Sequence, residues 1–182
     1  VRDTIEEPLL VHRIGRGKEE RDAKVREALV RAGLSPPELF IDRYPHELSG
    51  GQRQRVAIAA GLVLDPKLLV ADEPVSMLDM SVRAKILELM VNLKHEFDLS
   101  YLYITHDLAT AKFFCDRIAI LYLGRIVEIG PSAAIYEDPK HPYTRGLLES
   151  IPGGAPGTRL RAIVGAVPPL GALPAGCSFV TR

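Results

Sequence analysis

Two short apolar runs, Leu68-Leu69-Val70-Ala71 and Tyr101-Leu102-Tyr103-Ile104, lie on either side of one amphipathic stretch. Between them, Val82, Ile86, Leu89, Leu93 and Phe97 recur at helical spacing and give residues 81–97 one apolar face. Strand, helix and strand in that order bring two strands side by side and parallel, since the helix returns the chain across the sheet. The run at 68–71 is expected to be a buried strand. Ser49 is a good N-cap for a further helix reaching about Leu64, which Asp65-Pro66 ends. A short helix is expected near residues 108–114. Beyond it, Ile118-Ala119-Ile120-Leu121-Tyr122 and Arg125-Ile126-Val127-Glu128-Ile129 flank Leu123-Gly124, a two-residue hairpin signal. The expected fold class is α/β, a parallel sheet with helices and an antiparallel edge hairpin.

Residues 1–34 read as helical, with Val25, Leu29 and Ala32 in spacing, stopped by Gly33 and Ser35-Pro36-Pro37. From residue 131 onward prolines and glycines accumulate, among them Gly153, Gly154 and Gly157, and one short helix is expected near 143–150. That part reads as an irregular Pro/Gly-rich tail.

Composition narrows the class. The chain has 182 residues, 47% hydrophobic and 25% charged, which excludes a disordered polymer. Lys plus Arg and Asp plus Glu are 23 each, so no basic excess exists to neutralise phosphates, and nucleic acid is not expected as a partner. Cys115 and Cys177 are too few for a disulfide framework and fit a reducing compartment. Cys115, beside Phe113 and Phe114, reads as a small buried hydrophobe. No run is long enough for a membrane span, so membrane association is expected only through partners.

The chemistry gathers at strand ends. The first strand ends in Asp72-Glu73, and ligands of open α/β sheets bind beyond the carboxyl ends of their strands. One acid there can hold Mg²⁺ and the next can orient an attacking water. By itself, Asp-Glu reads more readily as a solvated strand end than as a catalytic pair. The second strand, however, runs into Thr105-His106-Asp107, so an imidazole is expected at the same edge. Ser49-Gly50-Gly51-Gln52 adds a helix start with two glycines, whose bare N–H groups can meet an oxyanion.

These segments together resemble a known family. Leu48-Ser49-Gly50-Gly51-Gln52-Arg53-Gln54-Arg55-Val56-Ala57-Ile58-Ala59 is similar to the signature motif of ABC-type ATPases. Leu68-Leu69-Val70-Ala71-Asp72-Glu73-Pro74 resembles their Walker B strand, Ser76-Met77-Leu78-Asp79 their D-loop, and Ile104-Thr105-His106-Asp107 their switch-histidine loop. Tyr136-Glu137-Asp138-Pro139 followed by His141-Pro142-Tyr143-Thr144-Arg145-Gly146-Leu147-Leu148 resembles the ATP-binding subunits of oligopeptide and dipeptide importers.

The resemblance implies ATP as substrate with Mg²⁺. Asp72 would assist the metal through water, and Glu73 would be the general base or water-positioning group. His106 would contact the γ-phosphate. Ser49, Gly50, Gly51 and Gln52 would bind the γ-phosphate of a nucleotide held mainly by a second ATPase subunit, and Asp79 would couple the two sites. It further implies ATP-driven import of oligopeptides, dipeptides or nickel, two transmembrane permease subunits, an extracytoplasmic solute-binding protein acting indirectly, and a peripheral place on the cytoplasmic face of the cell membrane. Residues 1–130 would be the C-terminal part of the nucleotide-binding domain, with 1–48 mainly its helical subdomain, and 131–182 the extension of the oligopeptide type.

One motif of the family is missing. Gly17-Lys18 is followed by Glu19, and His12 stands where the first glycine of a phosphate-binding loop would be. The expectation is a chain truncated at its N-terminus, inactive by itself. Gly176-Cys177-Ser178-Phe179-Val180-Thr181-Arg182 resembles the start of a cysteine-rich segment found in some members, but an iron–sulfur cluster needs four cysteines and no ligands are assigned. A soluble ABC-type ATPase without transport, and a non-catalytic interaction module, are the alternative readings.

Overall fold

The computed structural model describes residues 1–151, 163, 165–169, 171, 174 and 176–180. They fall into two compact units, Val1–Ile104 and Thr105–Arg182. Gly153, Gly154, Gly157, Thr181 and Arg182 of the expected tail lie outside the described residues.

The first unit runs α1 (Arg2–Val11), α2 (Lys18–Arg31), α3 (Gly50–Leu62), β1 (Leu68–Asp72), α4 (Met80–Glu96) and β2 (Ser100–Ile104). Residues 1–34 are thus two helices rather than one continuous stretch. Arg13 at φ 56° and Gly15 at φ 90° turn the chain between them. Lys18 opens α2, with Gly17 extended before it, so this pair forms no phosphate-binding loop. Ile5, Leu9, Val25, Leu29, Leu34, Ile41, Val56 and Ala59 close a core among α1, α2 and α3. Its rim carries ion pairs, Arg21 with Glu6 at 2.7 Å and Arg26 with Glu38 at 2.5 Å.

β1 and β2 pair in parallel, Leu68 opposite Ser100 through Asp72 opposite Ile104, as the order of elements predicts. Leu69 and Tyr101 pack over Leu62, Leu93 and Leu99. The opposite face is a correction to the expected buried strand: Val70 is 61% exposed and Leu102, its ladder partner, 53%. Among the described residues of this unit, helices cover one face of the pair only. On α4, Ile86, Leu87, Met90 and Leu93 are buried, while Val82, Leu89 and Phe97 are less so, at the edges of the stripe.

The second unit contains α5 (Leu108–Phe114), β3 (Arg117–Tyr122), β4 (Arg125–Pro131), α6 (Ser132–Glu137) and α7 (Pro142–Glu149). β3 and β4 form an antiparallel hairpin, as predicted, in a two-stranded sheet of its own. Leu123 and Gly124 both take positive φ, 50° and 74°, the type I′ backbone that matches the twist of a tight hairpin. Ala111, Ile118, Ile120 and Ile135 make its core. Cys115 is half-buried beside it. The segment after 131 is more regular than its composition suggests, since α6 precedes the expected helix α7. Among the described residues no helix is long and apolar enough to cross a membrane.

Candidate functional site

The site is built at two chain turns of the first unit. Ser49 caps α3: its hydroxyl accepts from the Gln52 N–H at 3.3 Å, and the Gln52 side-chain oxygen accepts from the Ser49 N–H at 2.9 Å. This reciprocal box fixes the turn, so Gln52 is engaged in holding the helix start together. Gly50 and Gly51 occupy the first turn, where α-helical N–H groups have no acceptor within the helix. The positive end of a 13-residue helix thus presents bare backbone donors. Arg53, which sequence reasoning did not single out, braces this turn. Its guanidinium donates to the carbonyl of Leu48 at 3.0 Å and of Pro45 at 3.4 Å. Its sequence signals are its place inside the motif at 48–59 and its position one helical turn after the cap.

The second turn follows β1. Asp72 is the last strand residue and is exposed, with its carboxylate at the carboxyl end of the sheet. Glu73 leaves the strand at φ 44°, a left-handed conformation that a glutamate rarely takes. The backbone around it is tied down. The Glu73 carbonyl accepts from the Ser76 N–H at 3.2 Å and the Ser76 hydroxyl at 3.0 Å. A non-glycine residue held in αL is strained, and such strain collects where a side chain must be aimed.

Gly50 and Glu73 line one cleft with Arg53, Gln54, Pro74, Ser76, Met77 and Leu78. The structure thereby brings the glycine turn and Glu73, the acid that follows β1, onto a shared surface. Asp79 stands at the next corner as the N-cap of α4. Its carboxylate accepts from the Val82 N–H at 3.0 Å and the Ser81 hydroxyl at 2.8 Å. These donors, the Val82 N–H foremost, hold the Asp79 carboxyl below the usual aspartate range.

His106 is exposed and is the second residue of the second unit, two residues past Ile104. Its neighbours form a tight turn: the Thr105 hydroxyl accepts from the Asp107 N–H at 3.0 Å, and Asp107 caps α5 through the Ala109 N–H at 2.9 Å. Elsewhere in that unit the exposed Cys177 sulfur stands 3.8 Å from the His141 Nε2. Among the described residues no group of three or more His, Cys, Asp or Glu could hold a metal. Asp72 therefore suits Mg²⁺ only as one carboxylate among phosphate and water oxygens, the usual manner of binding for that ion.

The chain matches two family models, the ABC transporter model over residues 2–76 and the oligopeptide/dipeptide transporter C-terminal region over residues 127–182. It is 50% identical over 152 residues to the oligopeptide transport ATP-binding protein OppF of Streptococcus mutans, covering 84% of this chain and 49% of that one. It is 44% identical over 187 residues to the oligopeptide transport ATP-binding protein AppF of Bacillus subtilis, covering 100% of this chain and 56% of that one. The chain spans about half the length of these relatives. Among solved structures it resembles the ATP-binding cassette MJ0796, in a dimeric post-hydrolysis state bound to ADP and Pi, at TM-score 0.59 and 36% identity over 70% of this chain and 54% of that one. It also resembles CbiO1 of Clostridium perfringens, at TM-score 0.64 and 29% identity over 74% of this chain and 51% of that one. Motif order, fold and both matched regions agree: the chain belongs to the ABC transporter ATP-binding family and carries the C-terminal region of its oligopeptide/dipeptide branch.

Proposed function

We propose that this chain forms part of an ATP-binding, ATP-hydrolysing subunit that powers uptake of oligopeptides or dipeptides. The observation that carries this reading is the shared cleft of Gly50 and Glu73, in a chain with a peptide-transporter C-terminal region. Glu73 accepts the proton of the attacking water as its oxygen approaches the γ-phosphorus. Asp72 would help to hold Mg²⁺, which when bound would supply charge neutralisation at the phosphates. His106 contacts the γ-phosphate. The N–H groups of Gly50 and Gly51, positioned by the Ser49–Gln52 box, donate to the γ-phosphate of a nucleotide held by a second ATPase subunit. Asp79 lies at the face where the two subunits meet and couples their sites.

In this reading residues 1–130 are part of the nucleotide-binding domain, with 1–48 as its helical subdomain, and 131–182 are the extension. The pair of ATPase subunits works beneath two permease subunits at the cytoplasmic face of the membrane, fed by an extracytoplasmic solute-binding protein.

Gly50→Asp in the full-length protein tests the reading. A Cβ at Gly50 meets only Leu78 Cδ2, at 3.5 Å, an ordinary contact, and a carboxylate near a helix N-terminus favours the helix. The variant folds, and one subunit binds ATP normally. Association of two subunits on ATP is lost, because like charges meet in a partly dehydrated contact. Undiminished ATP-driven association would remove the phosphate-binding role of this turn.

A further inference from the structure

The glycine turn and the start of α4 are interlocked within one subunit. A Cβ placed on Gly51 would lie 2.6 Å from Val82 Cγ1, closer than two carbon atoms approach. One residue earlier, the Gly50 position faces Leu78 at 3.5 Å. Leu78 and Val82 flank Asp79, and the Val82 N–H is itself the donor that the Asp79 carboxylate accepts. The missing side chain of Gly51 is therefore filled by a methyl group of the helix that Asp79 caps. Val82 has little freedom to yield, because a β-branched side chain in a helix has one strongly preferred χ1 rotamer. Glycine at position 51 thus serves a steric need separate from exposing its N–H.

We propose that Val82 is a positioning residue that locks the Ser49–Gln52 turn to the Asp79 corner through Gly51, so that the two move as one body. The inference rests on the reading above, in which the turn meets the partner's nucleotide and Asp79 the partner subunit. A shift of α4 at the subunit interface is then transmitted to the phosphate-binding turn of the same chain through a packed contact, with no hydrogen bond required.

The test is a compensating pair in the full-length protein. Single-subunit ATP affinity is measured by calorimetry, and ATP-driven association by sedimentation. Gly51→Ala weakens association by about tenfold or more, the scale of an overpacked contact, with single-subunit affinity unchanged. Val82→Ala added to Gly51→Ala vacates the methyl position and restores association to within about threefold. If Gly51→Ala also lowers thermal stability, the double variant with Val82→Ala recovers both readouts together. A double variant as impaired as Gly51→Ala overturns the coupling, as does a harmless Gly51→Ala. Neither result touches the proposed function, which stands or falls with Gly50→Asp.

Discussion

The main-chain N–H of Glu73 donates to the carbonyl oxygen of Ile104 at 2.9 Å, one step beyond the last ladder pair, Asp72 opposite Ile104. Glu73 therefore remains stitched to β2 although its φ of 44° has already left the strand. The strand that leads toward His106 also fixes the backbone of the acid. A carboxylate on a free loop would sample many directions; here the ladder bond and the Ser76 turn restrict them.

Glu73→Gln in the full-length protein is expected to leave ATP binding intact and to lower turnover by roughly 10²–10⁴, the usual worth of positioned proton transfer. The amide keeps the shape but accepts no proton. Phosphate release per bound nucleotide is the measurement, and near-normal turnover would take the proton-accepting role away from Glu73.

Comparing two amides at the same position isolates the backbone strain. Asparagine tolerates left-handed φ better than glutamine, and both remove the charge. Glu73→Asn is therefore expected to be more stable than Glu73→Gln by about 0.5–1 kcal/mol, with both inactive. Urea midpoints at equal slope decide the matter, and identical midpoints would mean that the φ of 44° costs nothing.

The parts of this molecule that were legible in the sequence are those that local chemistry specifies. The Ser49 cap, the α4 stripe and the Leu123-Gly124 turn each need only a few neighbouring residues to be read. The break between α1 and α2 was not legible, because it hangs on Arg13 taking φ 56° beside Gly15, an arginine doing what its type rarely does. α6 begins after Pro131 with no side-chain cap, so nothing announced it. At the site, residue types pointed to Asp72, Glu73 and Ser49. The roles of Arg53 and Val82 depend on carbonyls and methyl positions that only the folded chain brings near. Exposure of Val70 was hidden for a related reason: an apolar run says that a strand prefers cover, and not whether cover is present.

The hairpin gives a test free of side-chain packing. A Cβ on Gly124 meets nothing within 4 Å, so Gly124→Ala changes only the backbone preference. At φ 74° that substitution is expected to cost about 1–2 kcal/mol. Leu123→Asn, at φ 50°, relieves the opposite burden and should offset part of that cost in the double variant. Chemical denaturation reads both, and an unchanged midpoint for Gly124→Ala would contradict the I′ assignment of the turn.

Acid should loosen the start of α7 before it touches the hairpin. The Glu128 carboxylate on β4 accepts from the N–H of Lys140 at 2.7 Å and of His141 at 3.0 Å, anchoring the chain that enters the helix. Burial pushes this carboxyl upward, but the two backbone donors, with the nearby His141, outweigh it and hold it below the ordinary glutamate value of 4.5. A depressed folded pKa sets the sign. The contribution is fully present above 4.5 and is lost as pH falls from there through the lower folded value, where the carboxylate takes up a proton. Amide exchange at Lys140 and His141 should therefore accelerate, relative to its intrinsic rate, as pH falls below 4.5 and the carboxylate is lost. Glu128→Gln keeps an acceptor oxygen but loses the charge, so its protection should be weaker at about pH 7 and should not fall further in acid. Equal protection in the two proteins at about pH 7 would show that the anchor is backbone packing and not the carboxylate.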